Sequence, residues 1–105
     1  IIAAANLRKV VVLDGLVTTT AALIAQKLVP ATADYVLASH LESSLAHKVA
    51  LKALNKKPLF LNGCNIGDGT SSSLGFSVLD SSCALLKESI SLASLSAPSF
   101  EGNLD

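Results

Sequence analysis

Gly67-Asp68-Gly69-Thr70-Ser71 sets a carboxylate between two glycines immediately before an apolar-periodic stretch. Glycines let a backbone approach a ligand closely, and the N-terminus of a following helix offers unpaired N–H groups and the positive end of its dipole to a phosphate. A carboxylate repels phosphate, so Asp68 reads as a proton acceptor beside an anion site built from Gly67, Gly69, Thr70 and Ser71. The same residues also suit a plain turn, with Asp68 in an Asx-turn and Thr70 or Ser71 capping the helix. Neither Gly-x-Gly-x-x-Gly nor Gly-x4-Gly-Lys-Ser occurs, so dinucleotide and nucleoside triphosphate sites lack support.

Three further positions could carry chemistry. Ser39-His40 follows a short apolar run, and His40 there reads either as an acid or phosphate donor or as a structural residue. Asp14-Gly15 ends a β-branched run, where an aspartate is more often a turn former than a catalyst. His47 falls within a helical pattern and reads as structural. His40 and His47 are seven positions apart, which is no metal-binding spacing, and no Gly-x-Ser-x-Gly elbow marks a serine nucleophile. Cys64 and Cys83 lack a Cys-x-x-Cys pattern, so free thiols in a reducing, cytoplasmic compartment are expected, with no zinc.

The elements that must position these residues follow from periodicity. Lys9 to Asp14 reads KVVVLD, the pattern of a strand buried on both faces in a parallel sheet. Thr18 to Thr20 supply hydroxyls for an N-cap, and a helix over Ala21 to Leu28 stops at Pro30. Tyr35 to Ala38 predicts a second strand. A helix over Ser43 to Leu54 would bury Leu45, Val49 and Leu54 and end at Asn55, with Lys56 and Lys57 near its negative end. Pro58 to Leu61 is too short to assign. Ser71 to Ala93 predicts one long helix burying Leu74, Val78, Leu79, Cys83, Leu86 and Ile90. Residues 98–105 read as a flexible tail. In such layered α/β chains ligands bind at the carboxyl ends of the strands, the edge to which Asp14-Gly15, Ser39-His40 and the 67–71 loop all belong.

Length and composition limit the function classes. One domain at most fits in 105 residues, half of them apolar, and eight Lys plus Arg against eight Asp plus Glu leave no net charge. Without a long-range field, neither nucleic acid nor an anionic membrane is an expected partner. The longest apolar stretches fall far short of the roughly 20 residues needed to cross a bilayer. A mean hydropathy of +0.56 with 15% charged residues is high for a small domain. Two or three strands make a poor sheet, so the chain, which lacks Met, reads as a fragment of a larger α/β domain.

Taken in order, VVVLDGLVTTTAALIA, DYVLASH and PLFLNGCNIGDGTSSSLGFSVLDSSCALLKE resemble the C-terminal third of the nicotinate-nucleotide:dimethylbenzimidazole phosphoribosyltransferase family, from about Val10 to Ile90. The resemblance implies a partial Rossmann-like layered fold with a parallel sheet, with residues 1–97 forming the C-terminal part of that enzyme domain. It implies transfer of phosphoribose from nicotinate mononucleotide to 5,6-dimethylbenzimidazole, giving α-ribazole phosphate for the cobalamin lower ligand, in a homodimer without metal or organic cofactor. Family members typically carry Gly-Glu-Gly-Ser-Gly where this chain has Gly67 to Ser71, so the general base falls on Asp68, one methylene shorter than the glutamate. The family's Ser-His-x-Ser-Ala-Glu-x-Gly-His is matched by Ser39, His40 and His47, while Glu42 replaces a serine that helps hold the nucleotide phosphate. The alternative is a family-derived binding or oligomerisation module without catalysis.

Overall fold

The computed structural model describes residues 1–61 and 69–91. A short helix α1 (Ile2–Asn6) precedes β1 (Val11–Leu13), α2 (Leu16–Leu28), a 3-10 helix (Pro30–Tyr35), β2 (Val36–Ala38), α3 (Leu45–Ala53) and α4 (Thr70–Glu88). The two strands pair in parallel, Val11 against Val36, Val12 against Leu37 and Leu13 against Ala38. On the other side of β2 the unassigned Pro58 to Leu61 segment forms a parallel bridge between His40 and Phe60. Both edges of β2 are therefore used, and the chain is α/β in character.

Alternation along the strands sends Val11, Leu13, Val36 and Ala38 to one face and Val12 and Leu37 to the other. The first face carries the core, where Leu13, Ala22, Val36 and Leu54 cluster and Ile1, Val11 and Leu23 pack against them. Small residues let α2 lie close to α3 and to the 3-10 helix, with Ala22 and Ala25 buried on its inner face. The second face is met by the start of α4, where Gly75 is in contact with Val12; a Cβ at that position would lie 3.0 Å from a Val12 methyl. The expected burial of β1 on both faces is thus only partly realised, since Val11 and Val12 are half-buried and Leu13 alone is fully buried.

Three helix expectations are corrected. Helix α2 begins at Leu16, with Gly15 as its N-cap, so Thr18 to Thr20 lie inside its first turns instead of capping it. Their hydroxyls donate back to the carbonyls of Gly15 and Leu16. Helix α3 buries His47, Ala50 and Leu51, while Leu45 and Val49, expected inside, are exposed. Helix α4 ends at Glu88 and buries only Ser71 and Gly75. Leu74 and Val78 of its expected buried stripe are exposed, as are Cys83, Leu86 and Ile90, and Leu79 is half-buried. Close approach to the sheet requires the small side of α4, which leaves its leucine-rich side without cover among the described residues.

The end of α3 follows the expectation. Asn55 takes a positive φ of 55°, its N–H bonds the Lys52 carbonyl and that of Lys56 bonds the Leu51 carbonyl. This Schellman arrangement satisfies carbonyls that the helix leaves open, and asparagine tolerates the left-handed conformation it requires.

A polar cluster where the parallel strands end

Each strand delivers its next residues to the same edge. After β1, Asp14 donates its backbone N–H to Thr18 Oγ1 at 2.8 Å and accepts the Gly69 N–H on Oδ2 at 3.0 Å. The end of β1 is thereby tied to the N-cap of α4, across 55 positions of sequence. Gly69 there has φ +88°, in the left-handed region that favours glycine. Its N–H is already met by a carboxylate of the chain itself. Asp14 Oδ1 is buried with no partner among the described residues.

After β2, Ser39 Oγ donates to the Leu13 carbonyl at 2.6 Å and lies 3.0 Å from His40 Nδ1. With its own proton committed to Leu13, the serine hydroxyl accepts from an Nδ1–H on His40. That leaves His40 Nε2 as a bare lone pair, buried and without a partner among the described residues. Ser39 is fully buried, with its hydroxyl committed to a backbone carbonyl.

A second network surrounds His47. The Glu42 backbone N–H donates to His47 Nδ1 at 3.1 Å, and His47 Nε2 lies 3.1 Å from Thr19 Oγ1, which donates to the Gly15 carbonyl at 2.8 Å. Only one neutral tautomer satisfies this chain: Nδ1 accepts, and Nε2–H donates to Thr19. Glu42 Oε1 in turn accepts the Leu16 N–H at the start of α2, at 3.1 Å. The resemblance puts Glu42 where a serine helps hold the nucleotide phosphate; the structure turns its carboxylate onto a helix N-terminus, where it is stabilised. Glu42 and the Thr19–His47 link were legible only as residue types, because their partners lie 26 and 28 positions away.

Burial holds the His47 imidazole below its ordinary pKa of 6.5; the Glu42 carboxylate opposes that shift and His40 reinforces it. The His40 and His47 ring centroids are 6.1 Å apart at 70°. A group whose folded pKa is lowered binds fewer protons folded than unfolded, so stability rises with pH across the interval between the two values. Stability contributed by neutral His47 is therefore complete above about pH 6.5 and declines as pH falls toward its lowered folded value. Urea denaturation between pH 5 and 7.5 is expected to show this slope, and His47→Gln to flatten it. An unchanged slope in that variant would assign the dependence to other groups.

Of the residues expected from sequence to form the catalytic and substrate site, Ser39, His40, Gly69, Thr70 and Ser71 are described. Ser39 and His40 are buried at the end of β2, Gly69 and Thr70 open α4, and Ser71 is buried in its first turn. Gly67 and Asp68 lie outside the described residues, as do Cys64 and the expected tail at 98–105. Cys83 is a free, exposed thiol. Among the described residues no cluster of three or more His, Cys, Asp or Glu could hold a metal, and no helix is long and apolar enough to cross a membrane.

Parallel strands with crossover helices, and polar residues gathered where the strands end, define an α/β chain. A family model described as Phosphoribosyltransferase matches residues 1–95, and the chain belongs to that family. It is 41% identical over 88 residues to the nicotinate-nucleotide–dimethylbenzimidazole phosphoribosyltransferase of Syntrophotalea carbinolica, covering 84% of this chain and 25% of the relative. The enzyme of the same name from Shewanella loihica is 35% identical over 92 residues, covering 88% of this chain and 27% of the relative. That from Desulforudis audaxviator is 41% identical over 88 residues, 84% of this chain and 25% of the relative. The chain thus spans about a quarter of the length of the curated relatives it matches.

Proposed function

We propose that this chain is the C-terminal part of a pentosyltransferase that moves phosphoribose from nicotinate mononucleotide to 5,6-dimethylbenzimidazole. The observation that carries the reading is the similarity to enzymes of that name over more than four-fifths of the chain, in the segment that forms the strand-end cluster. In this reaction the benzimidazole nitrogen attacks C1′ of the ribose with inversion, the glycosidic bond to nicotinate breaks, and nicotinate leaves with the bonding pair. Asp68 accepts the proton of the attacking nitrogen. Gly67, Gly69, Thr70 and Ser71, with Ser39 and His40 from the end of β2, serve as the phosphate and substrate contacts in this reading. Partners are the two substrates and a second copy of the full-length chain; the reaction requires no added cofactor.

The full-length chain, incubated with both substrates, is expected to release nicotinate and form α-ribazole phosphate in equal amounts, read by chromatography. Binding of either substrate without product would instead support the non-catalytic, family-derived module.

A further inference from the structure

Beside α3 lies a cleft of about 330 Å³ that is lined by none of Asp14, Ser39, His40 and Gly69. Leu41, Leu51, Pro58 and Leu61 form an apolar floor, and Lys48, Lys52, Lys56 and Lys57 stand around it. Half of the eight basic residues of an electrically neutral chain are thus gathered on one hollow that no carboxylate lines. None of the four ammonium groups pairs with a carboxylate among the described residues.

The backbone holds this arrangement in place. Lys48 and Lys52 are one helical turn apart on α3, and the Schellman reversal at Asn55 carries Lys56 and Lys57 back toward the same hollow. Helix stability accounts for only part of it. Lys52 and Lys56 complement the negative end of the α3 dipole, but Lys48 sits in the first turns, where a cation gains nothing, and like charges at i, i+4 repel. The volume is on the scale of small-molecule sites, which are mostly apolar with a few placed polar groups.

We propose that this cleft binds a small anionic amphiphile: an aromatic or aliphatic body on the leucine and proline floor, with a doubly charged phosphate-type group among the lysines. Apolar contact and charge act together, so neither half of the ligand suffices alone. None of the four lysines is among the residues assigned to the transfer reaction, and all are exposed or half-buried.

The test uses the full-length chain and 1-naphthyl phosphate, followed by its own fluorescence anisotropy. Saturable binding is expected, at least about tenfold tighter than 1-naphthol or inorganic phosphate as competitors, and weakened by raising NaCl from about 50 to 500 mM. Lys52→Glu with Lys56→Glu is expected to weaken it at least about tenfold, the milder Lys52→Gln with Lys56→Gln about threefold, and Lys27→Glu, outside the cleft, not at all. Circular dichroism of each variant checks that the fold is kept. Undiminished binding in both lysine double variants would place the probe elsewhere and overturn the proposal, as would absence of saturable binding. Inorganic phosphate competing as well as the aryl ester would overturn it too. Nicotinate release is expected to be unchanged in the double variants, so the cleft and the transfer reaction can fail separately.

Discussion

Asp68→Ala in the full-length chain is expected to slow phosphoribosyl transfer by about 10²- to 10⁴-fold, the usual contribution of a positioned general base. The proton on the attacking nitrogen then has only solvent to receive it, while the contacts that hold nicotinate mononucleotide stay in place, so KM should change by less than about threefold. Asp68→Asn should behave like Asp68→Ala, because the amide keeps the size and loses the basicity. Asp68→Glu restores the longer carboxylate of the related Gly-Glu-Gly-Ser-Gly motif. The tie between Asp14 Oδ2 and the Gly69 N–H, at 3.0 Å, fixes the backbone one residue beyond position 68 to the end of β1. Because that anchor does not depend on the side chain at 68, the glutamate variant should work from the same backbone position and retain activity within about tenfold. Equal rates for the parent chain and Asp68→Ala would remove this residue from the mechanism. Inactivity of both the parent and Asp68→Glu would favour the non-catalytic module.

Gly15→Ala is expected to destabilise the chain by about 2–5 kcal/mol, through backbone strain and a lost charge-assisted hydrogen bond acting at one position. Gly15 has φ +94° and ψ −165°, a region essentially reserved for glycine. A Cβ there would fall on the Glu42 carboxylate oxygen and drive it from the Leu16 N–H at the start of α2. The Glu42 side chain is long enough to swing away, so the clash itself can relax, but the helix N-terminus then loses its carboxylate. Gly15→Ala combined with Glu42→Ala should therefore cost less than the two single changes added together, since the second removes the group that the first displaces. Urea midpoints of the full-length variants, at unchanged m-value, read the effect. A Gly15→Ala chain within about 0.5 kcal/mol of the parent would show that neither the dihedral angle nor the Glu42 contact matters.

Asp14, Glu42 and His47 show how far residue types and spacing carry a reading of the site. Asp14-Gly15 was legible as a strand end because β-branched residues run directly into a turn pair. That the same aspartate accepts a hydrogen bond from Gly69 was not, because the two meet only when α4 lies across the sheet. Glu42 stands by resemblance at a phosphate-holding serine's position, and in space its carboxylate meets the N-terminus of α2. His47 was legible as structural, and its tautomer became definite only once Thr19 and the Glu42 N–H stood on either side of the ring.

The sequence by itself determined the order of the two strands and of α2, α3 and α4, though not α1 or the 3-10 helix, and also the break at Pro30, the helix stop at Asn55 and the edge at which polar residues gather. These are local matters, decided by β-branching, helix periodicity and the conformational limits of proline, glycine and asparagine. Only the tertiary structure decided which side of each helix is covered. Leucine spacing on α3 and α4 pointed to Leu45, Val49 and Leu74, yet Ala50 and Leu51 face the core of this chain and Ser71 and Gly75 meet its sheet. Periodicity marks an apolar stripe but not its partner. On α4, against a sheet of two short strands and one bridge, close backbone approach at Gly75 set the covered face, and the larger side chains turned outward.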